Sequence, residues 1–566
     1  MNITIKSKEL DQLKDLPYVK KFLDYNSWNN TNKSLKVDVS TLTDTDMKKI
    51  VSVLKKDEVT NRCPLDVIEQ WKKVKANPND QRPRTLEQFA TILKEYLAKV
   101  PKYYLFQQNE DEDFLAYVVT SIGYTPPKRE RGGVRAGYVY ARLNFYEHGK
   151  NESTTLYFHK KEIEGKTCAE IMDKSGFMIA TDDMIKRYEL ELERYKKYRA
   201  AVGLQVLGTG EGHAIGETAS WWGGKSLNTI ELEVDGRKSR LVLDDQEEGE
   251  ESRKDRGEKA EIPLLDGSFW KIKGVEKDTS DDDANEVDET TEIQLEVPLH
   301  PTILCFHLEK HVQLWAHVNR LEDYVYDTTL GEKLVLPSFQ RELIEILVHK
   351  DRVEFKDIIK GKSGGSIVLC SGVPGTGKTL TAEVFAEAIQ RPLYIIQSAQ
   401  LGTSAEELEK ELIKVLQRAS RWGAILLVDE ADVFIHTRGD DIEQNAIVGV
   451  FLRVLEYYNG ILFLTTNRTT IIDDAIISRC TAQVKFQIPD VDGQKQIWKI
   501  LADLGDIEIK QSEIDKFAKA HDQLSGRDVK GLLKLAQLVS RQRKEPITAK
   551  LLDYILQFKP VHMKDE

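Results

Sequence analysis

Apolar residues recur along this chain with more than one period, and the changes of period divide it into regions. Through about residue 110, spacings of three and four predict amphipathic helices at 7–25, 65–76 and 85–100, separated by polar and proline-containing loops. At 114–121, 136–145 and 154–159 apolar and polar residues alternate, which predicts a three-stranded antiparallel sheet, and a charged helix over 183–198 leads out of it. Strand patterns return at 227–233, 239–243, 268–272, 302–308 and 312–318. Beyond about 326 the signal changes again. Short aliphatic runs at 366–371, 392–398, 424–428 and 461–466 alternate with helical periodicity at 380–389 and 403–420, the pattern of parallel strands buried on both faces. The expected fold class is α/β: a parallel sheet with a helical tail after it and α+β and β-rich regions before it. The expected divisions are 1–110, 111–200, 201–325, 326–488 and 489–566.

Composition removes some classes of function. With 40% hydrophobic and 31% charged residues the chain has the balance of a soluble globular protein, and no uncharged apolar run approaches the ~18 residues that span a bilayer, so no membrane span is expected. The first ten residues lack the apolar centre of a signal peptide. Cys63, Cys168, Cys305, Cys370 and Cys480 are scattered, with no C-x-x-C pair, which reads as reduced thiols in a cytoplasmic protein. A net charge of −12 argues against a dedicated duplex-DNA binder.

Four local features have a bland reading and a sharper one. Lys128, Arg129, Arg131 and Arg135, around Pro126, Pro127, Gly132 and Gly133, read first as a solvated hairpin tip and second as a nucleic-acid contact. The acidic stretches 244–258 and 276–292 read as flexible loops between strands. Gly208, Gly210 and Gly212, with Trp221 and Trp222, read as a glycine turn beside packed aromatics, because no helix follows that would complete a ligand loop. His307 and His311 flank Glu309 in a strand-like context, so they are expected to be solvent-facing strand histidines and not a helical zinc site.

The chemistry concentrates at residues 372–379, GVPGTGKT, which fit GxxxxGK[ST] between a predicted strand and a predicted helix. Gly372, Val373, Pro374, Gly375, Thr376, Gly377 and Leu380 are the expected backbone cradle for the phosphates of ATP. Lys378 supplies a mobile cation and Thr379 a hydroxyl for Mg²⁺. The aliphatic run 424–428 then delivers Asp429 and Glu430 at a strand end, where ligands bind in open α/β sheets. Asp429 is expected to hold Mg²⁺ with Thr379, and Glu430 to polarise the attacking water.

From about 330 to 560 these motifs, in this order, resemble the AAA+ ATPases, a family of P-loop proteins with a parallel sheet and an α-helical lid. The resemblance implies that Asn467, at the end of the fourth strand, orients the attacking water (sensor 1). It implies that Arg479, in a Ser478-Arg479-Cys480 tripeptide similar to that of clamp loaders, reaches the nucleotide of a neighbouring subunit. It also implies that Arg527, in LSGRDVK at 524–530, touches phosphate from the same chain (sensor 2), and that the lid starts near Pro489. Two departures stand out. Residues 398–404 hold no aromatic pore-loop residue, and the usual Arg-Pro-Gly-Arg ending is shortened to Ser-Arg-Cys. The core is most similar to single-ring AAA proteins of the type that includes the mitochondrial inner-membrane AAA translocase, which also lacks that aromatic paddle. The implied protein is a homo-oligomeric, hexameric ring that hydrolyses ATP to remodel or move a protein partner chosen by residues 1–325. The alternatives are a nucleic-acid motor or loader and a nucleotide-switched scaffold in a defence or stress system.

Overall fold

The computed structural model describes residues 2–5, 7–25, 34–39, 42–57, 64–65, 67–68, 72, 82–97, 100–108, 113–130, 133–148, 150–215, 228–246, 269–271, 276–277, 294–348, 365–402, 404–438, 441–468 and 472–558. Most of the predicted helix at 65–76, Cys63, Arg131, Trp221 and Trp222, and the greater part of both acidic stretches lie outside the described residues.

The N-terminal helices and the first sheet share one core, which runs from Ile3 through Tyr188. The predicted helix at 7–25 is divided, because Pro17 cannot donate the backbone bond that a continuous helix would need; it opens a new helix, Pro17–Tyr25, instead. The helix Leu86–Leu97 presents Phe89 to Phe158 of the sheet, ring centroids 5.2 Å apart. In the sheet the order is Lys150–His159, Tyr138–Glu147, Phe114–Thr125, Tyr104–Gln108 and Phe177–Ile179, all antiparallel. The first three of these strands are those the alternation predicts; the last two are too short for a period to register.

A long helix, Asp182–Arg199, joins this core to the next. Its Tyr188 lies in the first core, and Tyr195 and Tyr198 lie in the second. The second sheet runs Asn228–Glu231, Glu211–Ala214, Val312–His317, Thr302–His307, Arg237–Leu243, Gln205–Gly208, Leu321–Asp323, with antiparallel neighbours. Gly208–Gly212 is the expected turn: Gly210 is left-handed (φ 67°), and a Cβ on it would lie 2.9 Å from Arg320. His307 is not solvent-facing. It is fully buried at the strand end, and its Nδ1 accepts the backbone N–H groups of Glu309 and Lys310, each at 3.2 Å, so that the ring ties down the tight turn in which His311 is left-handed. The expectation of a solvent face fails because both faces of this strand are covered: Cys305 and Leu241, the cross-strand partner of His307, lie in one core, and Phe306 and Leu308 on the opposite face lie in the core of the parallel sheet.

The parallel sheet comprises β1 (Ser366–Gly372), β2 (Leu393–Gln397), β3 (Ile425–Asp429), β4 (Ile461–Thr466) and β5 (Ala482–Phe486). Its order is β2-β3-β4-β1-β5, so every strand ends at the same edge. The crossovers are α1 (Lys378–Ala388), α2 (Ala405–Trp422), α3 (Ile442–Leu455) and α4 (Asp474–Arg479). Ser404 caps α2 by accepting the Glu407 N–H, and Gly423, left-handed at φ 60°, ends it. The tail is helical as predicted: α5 (Val491–Leu504), α6 (Gln511–Ala520), α7 (Gly526–Arg543) and α8 (Ala549–Leu556) close around Trp498, Phe517 and Leu532. Among the described residues no helix is long and apolar enough to cross a membrane.

The β-rich sheet docks on α2 and on β2. Arg418 stacks its guanidinium over Phe306 at 5.0 Å and donates to the Tyr394 hydroxyl at 3.0 Å, while Trp422 packs against both rings. Arg421 grips Asp244 with two bonds of 2.8 Å, and the Asp244 side chain is 0% exposed. The first residue of the acidic stretch is thus a buried anchor and not part of a flexible loop. On the other side of the junction, Tyr324 and the Asp327 N–H both donate to Glu387 of α1, at 2.5 and 3.0 Å.

Removing Arg421 would strand a buried carboxylate, a loss of about 3–5 kcal/mol. Arg421→Ala is expected to split a joint melting of the β-rich sheet and the parallel-sheet core into two calorimetric transitions; one unchanged transition would contradict this docking. Burial also pushes the His307 imidazole down from 6.5 to about 4, with Lys310 and His311 adding to the effect. Between these values the unfolded chain binds a proton that the folded chain refuses, so stability is full above pH 6.5 and falls as pH is lowered through the window, by about 2–3 kcal/mol. His307→Asn, which keeps an acceptor for the turn, should flatten that slope in urea titrations between pH 4 and 6.5.

Candidate active site

Four segments leave the same edge of the parallel sheet. The loop after β1 turns sharply because its glycines adopt φ values closed to other residues: Gly375 at 81° and Gly377 at 97°. At Gly375 a Cβ would lie 2.8 Å from the Ser525 hydroxyl oxygen and from Arg527 Cβ, so the start of α7 is seated directly on the loop. Gly377 starts α1, whose first residues are Lys378 and Thr379, so the helix N-terminus faces the loop. Lys378 is 8% exposed and its ammonium bonds the carbonyls of Gly372 and Val373 at 2.8 and 2.9 Å. Burial lowers its affinity for a proton from the usual lysine value, and nearby Asp429 acts in the opposite direction. Thr376 closes the loop through its hydroxyl, which donates to the Val373 carbonyl at 2.9 Å. Val373, Pro374 and Leu380 are exposed at its mouth.

β3 brings Asp429 and Glu430 beside this loop. Thr379 donates its hydroxyl to Asp429 Oδ1 at 3.0 Å, which joins the phosphate loop to the acidic pair. Glu430 is exposed and left-handed (φ 53°) without being glycine, a strain of about 1–3 kcal/mol that the surroundings must hold. The surroundings are β4. Thr465 donates to Asp429 Oδ1 at 2.5 Å and accepts the Glu430 N–H at 3.0 Å, and its carbonyl accepts the Ala431 N–H at 2.9 Å. Thr466 donates to Asp432 and accepts the Arg468 N–H at 3.0 Å.

The other predicted residues are less closely gathered. Asn467 stands exposed one residue past β4, while Thr465 and Thr466 make the contacts to the acidic loop. Arg527, the second residue of α7, bonds the Gly375 carbonyl through its backbone N–H at 3.3 Å, and its charge acts on Lys378. Arg479 ends α4, donating to the Ala475 carbonyl at 3.2 Å and facing Glu456 at 3.9 Å. Two residues on, Thr481 pairs with Ile367, at the start of β1; Gly372 is five residues further along that strand. At about 3.3 Å per residue this puts Arg479 some ~15 Å from its own phosphate loop, at the opposite edge of the sheet. Sequence reasoning missed Thr465 and Thr466. Two consecutive hydroxyls at the end of an aliphatic strand were the available signal, since a buried hydroxyl needs partners.

These residues fit a nucleoside triphosphate and its metal. The loop offers successive backbone N–H groups, a helix N-terminus and a buried cation to phosphate oxygens. Thr379 Oγ1 and Asp429 Oδ1 form an all-oxygen donor pair suited to Mg²⁺.

Residues 368–488 match the model of the "ATPase family associated with various cellular activities (AAA)". A putative 26S proteasome regulatory subunit homolog from Methanothermobacter marburgensis is 28% identical over 212 residues, covering 35% of this chain and 57% of that protein. The ATP-dependent zinc metalloprotease FtsH 2 of Methylacidiphilum infernorum is 28% identical over 223 residues, 36% of this chain and 33% of that protein. Katanin p60 ATPase-containing subunit A1 of Strongylocentrotus purpuratus is 26% identical over 252 residues, 41% of this chain and 44% of that protein. The chain spans about half the length, or less, of these relatives. The order of the motifs along the chain, the strand order of the sheet that carries them and the family match all agree that residues 368–488 form an ATPase domain of the AAA type.

Proposed function

We propose that this protein hydrolyses ATP and uses the energy to remodel or move a protein partner. The observation that carries the reading is the bond from Thr379 to Asp429, which brings the phosphate loop and the acidic pair to one point with Glu430 next in the chain. Gly372 through Leu380 bind the triphosphate, with Lys378 as the mobile cation and Arg527 reaching in from the lid. Thr379 and Asp429 would hold Mg²⁺, which when bound supplies Lewis-acid polarisation of the phosphoryl oxygens. Glu430 accepts the proton of the attacking water, and Asn467 orients that water. The separation of Arg479 from its own loop supports a role at the loop of a second copy, as expected of a homo-oligomeric ring, hexameric by family resemblance.

Residues 1–325 select the partner, while 326–488 and 489–566 serve as nucleotide-binding region and lid. Proteins similar to this chain carry names of proteasome regulatory, proteolytic and katanin subunits, which supports a protein as the partner. The cysteines Cys168, Cys305, Cys370 and Cys480 are all free, which supports a reducing compartment such as the cytoplasm. The docking of the β-rich sheet on α2 implies that the movement is made by this sheet and the ATPase core together.

Glu430→Gln is expected to keep ATP affinity and lose turnover by about 10²–10⁴-fold, since an amide does not accept the water's proton. Wild-type steady-state hydrolysis in this variant would remove Glu430 from its role. The trans contact is tested by mixing two inactive chains, Arg479→Ala with a sound loop and Lys378→Ala with a sound arginine. Hydrolysis should return in the mixture and in neither alone. No recovery at any ratio despite subunit exchange, with Arg479→Ala fully active by itself, would exclude the ring mechanism.

A further inference from the structure

We propose that Thr465 is the positioning residue of the acidic pair: its single hydroxyl orients Asp429 for the metal and holds Glu430 in the conformation in which it faces the water. The inference rests on the hydrolytic reading above. Thr465 is 2% exposed, on the strand next to β3, and among the described residues no other side chain is seen to bond to both halves of the Asp429–Glu430 turn. The hydroxyl has one proton, which goes to Asp429 Oδ1; its lone pair takes the Glu430 N–H. Asp429 Oδ1 therefore receives two hydroxyl protons, one from Thr379 and one from Thr465, and that pair of bonds fixes the rotation of the carboxylate.

The backbone gives the second half of the argument. A left-handed glutamate is unfavourable unless its neighbours enforce it, and the Glu430 N–H and Ala431 N–H on either side of the strained residue both end on Thr465, one on the hydroxyl and one on the carbonyl. The carbonyl bond survives any substitution. The hydroxyl bond does not: valine has the same shape but neither donates nor accepts, so Asp429 Oδ1 would keep only the bond from Thr379 and the Glu430 N–H would lose its acceptor. Serine keeps both functions.

The test compares wild type, Thr465→Val and Thr465→Ser in two measurements: steady-state ATP hydrolysis, and calorimetric ADP affinity with and without Mg²⁺. In the valine variant kcat should fall by about 10–100-fold with little change in KM, and the gain in ADP affinity on adding Mg²⁺ should shrink, as outer-sphere partners of metal ligands behave. ADP affinity without Mg²⁺ should stay at the wild-type value, which reports a folded loop. Serine should restore kcat and the Mg²⁺ gain. A valine variant with wild-type kcat and Mg²⁺ gain overturns the proposal. So does a folded serine variant as impaired as valine, because the methyl group and not the hydroxyl would then matter. If the valine variant does not bind metal-free ADP, Thr465→Ala, which introduces no bulk, makes the same comparison. Wild-type protein that binds ATP without hydrolysing it would instead remove the functional reading itself.

Discussion

Asp429 Oδ1 is the point on which the site depends, because three separate stretches of chain converge on it. Thr379 reaches it from the first turn of α1, Thr465 from the end of β4, and the aspartate itself ends β3. Such a meeting is available only in a parallel sheet. In the order β2-β3-β4-β1-β5 every strand runs the same way, so their C-terminal ends, and the loops that follow them, share one edge. The same arrangement puts Arg479, which precedes a strand instead of following one, at the other edge.

Among the described residues, the C-terminal helices and the β-rich sheet meet the parallel-sheet core at different places. The lid rests its α7 N-terminus on Gly375, and the β-rich sheet sits away from the phosphate loop, against α2 and β2. The two contacts of that sheet with the ATPase core differ in kind. At Arg421 and Asp244 a charge pair is almost wholly withdrawn from water and depends on both partners. At Glu387 the segment after the sheet is tied to α1, the helix that begins with Lys378. Tyr324 and Asp327 are thus tied directly to α1.

Strain and its restraint lie next to one another in the site. Glu430 takes a backbone conformation that costs free energy, and the neighbouring strand supplies the bonds that hold it there. Lys378 is likewise buried at a cost to its charge and is held by the carbonyls of its own loop. The Glu430 backbone and the Lys378 side chain are thereby held by the protein's own bonds.

The sequence by itself determined the elements whose cause is local. Aliphatic runs marked the four strands from β1 to β4, the glycines and Lys378 marked the phosphate loop, and Asp429 and Glu430 marked a strand end, because period, turn conformation and charge are properties of neighbouring residues. Even the break at Pro17 was present in the letters, since proline acts on its own backbone. Only the tertiary structure decided what depends on residues distant in the chain. It buried His307, which alternation placed in solvent, because both faces of its strand are covered, one by the core that holds Leu241 and Cys305 and the other by the core that holds Phe306 and Leu308. It made Asp244 an anchor because Arg421 stands opposite it, 177 positions away. It gave Thr465 its two acidic-loop partners, 35 and 36 positions back, since a hydroxyl in a strand carries no signal of which neighbour the sheet will place beside it.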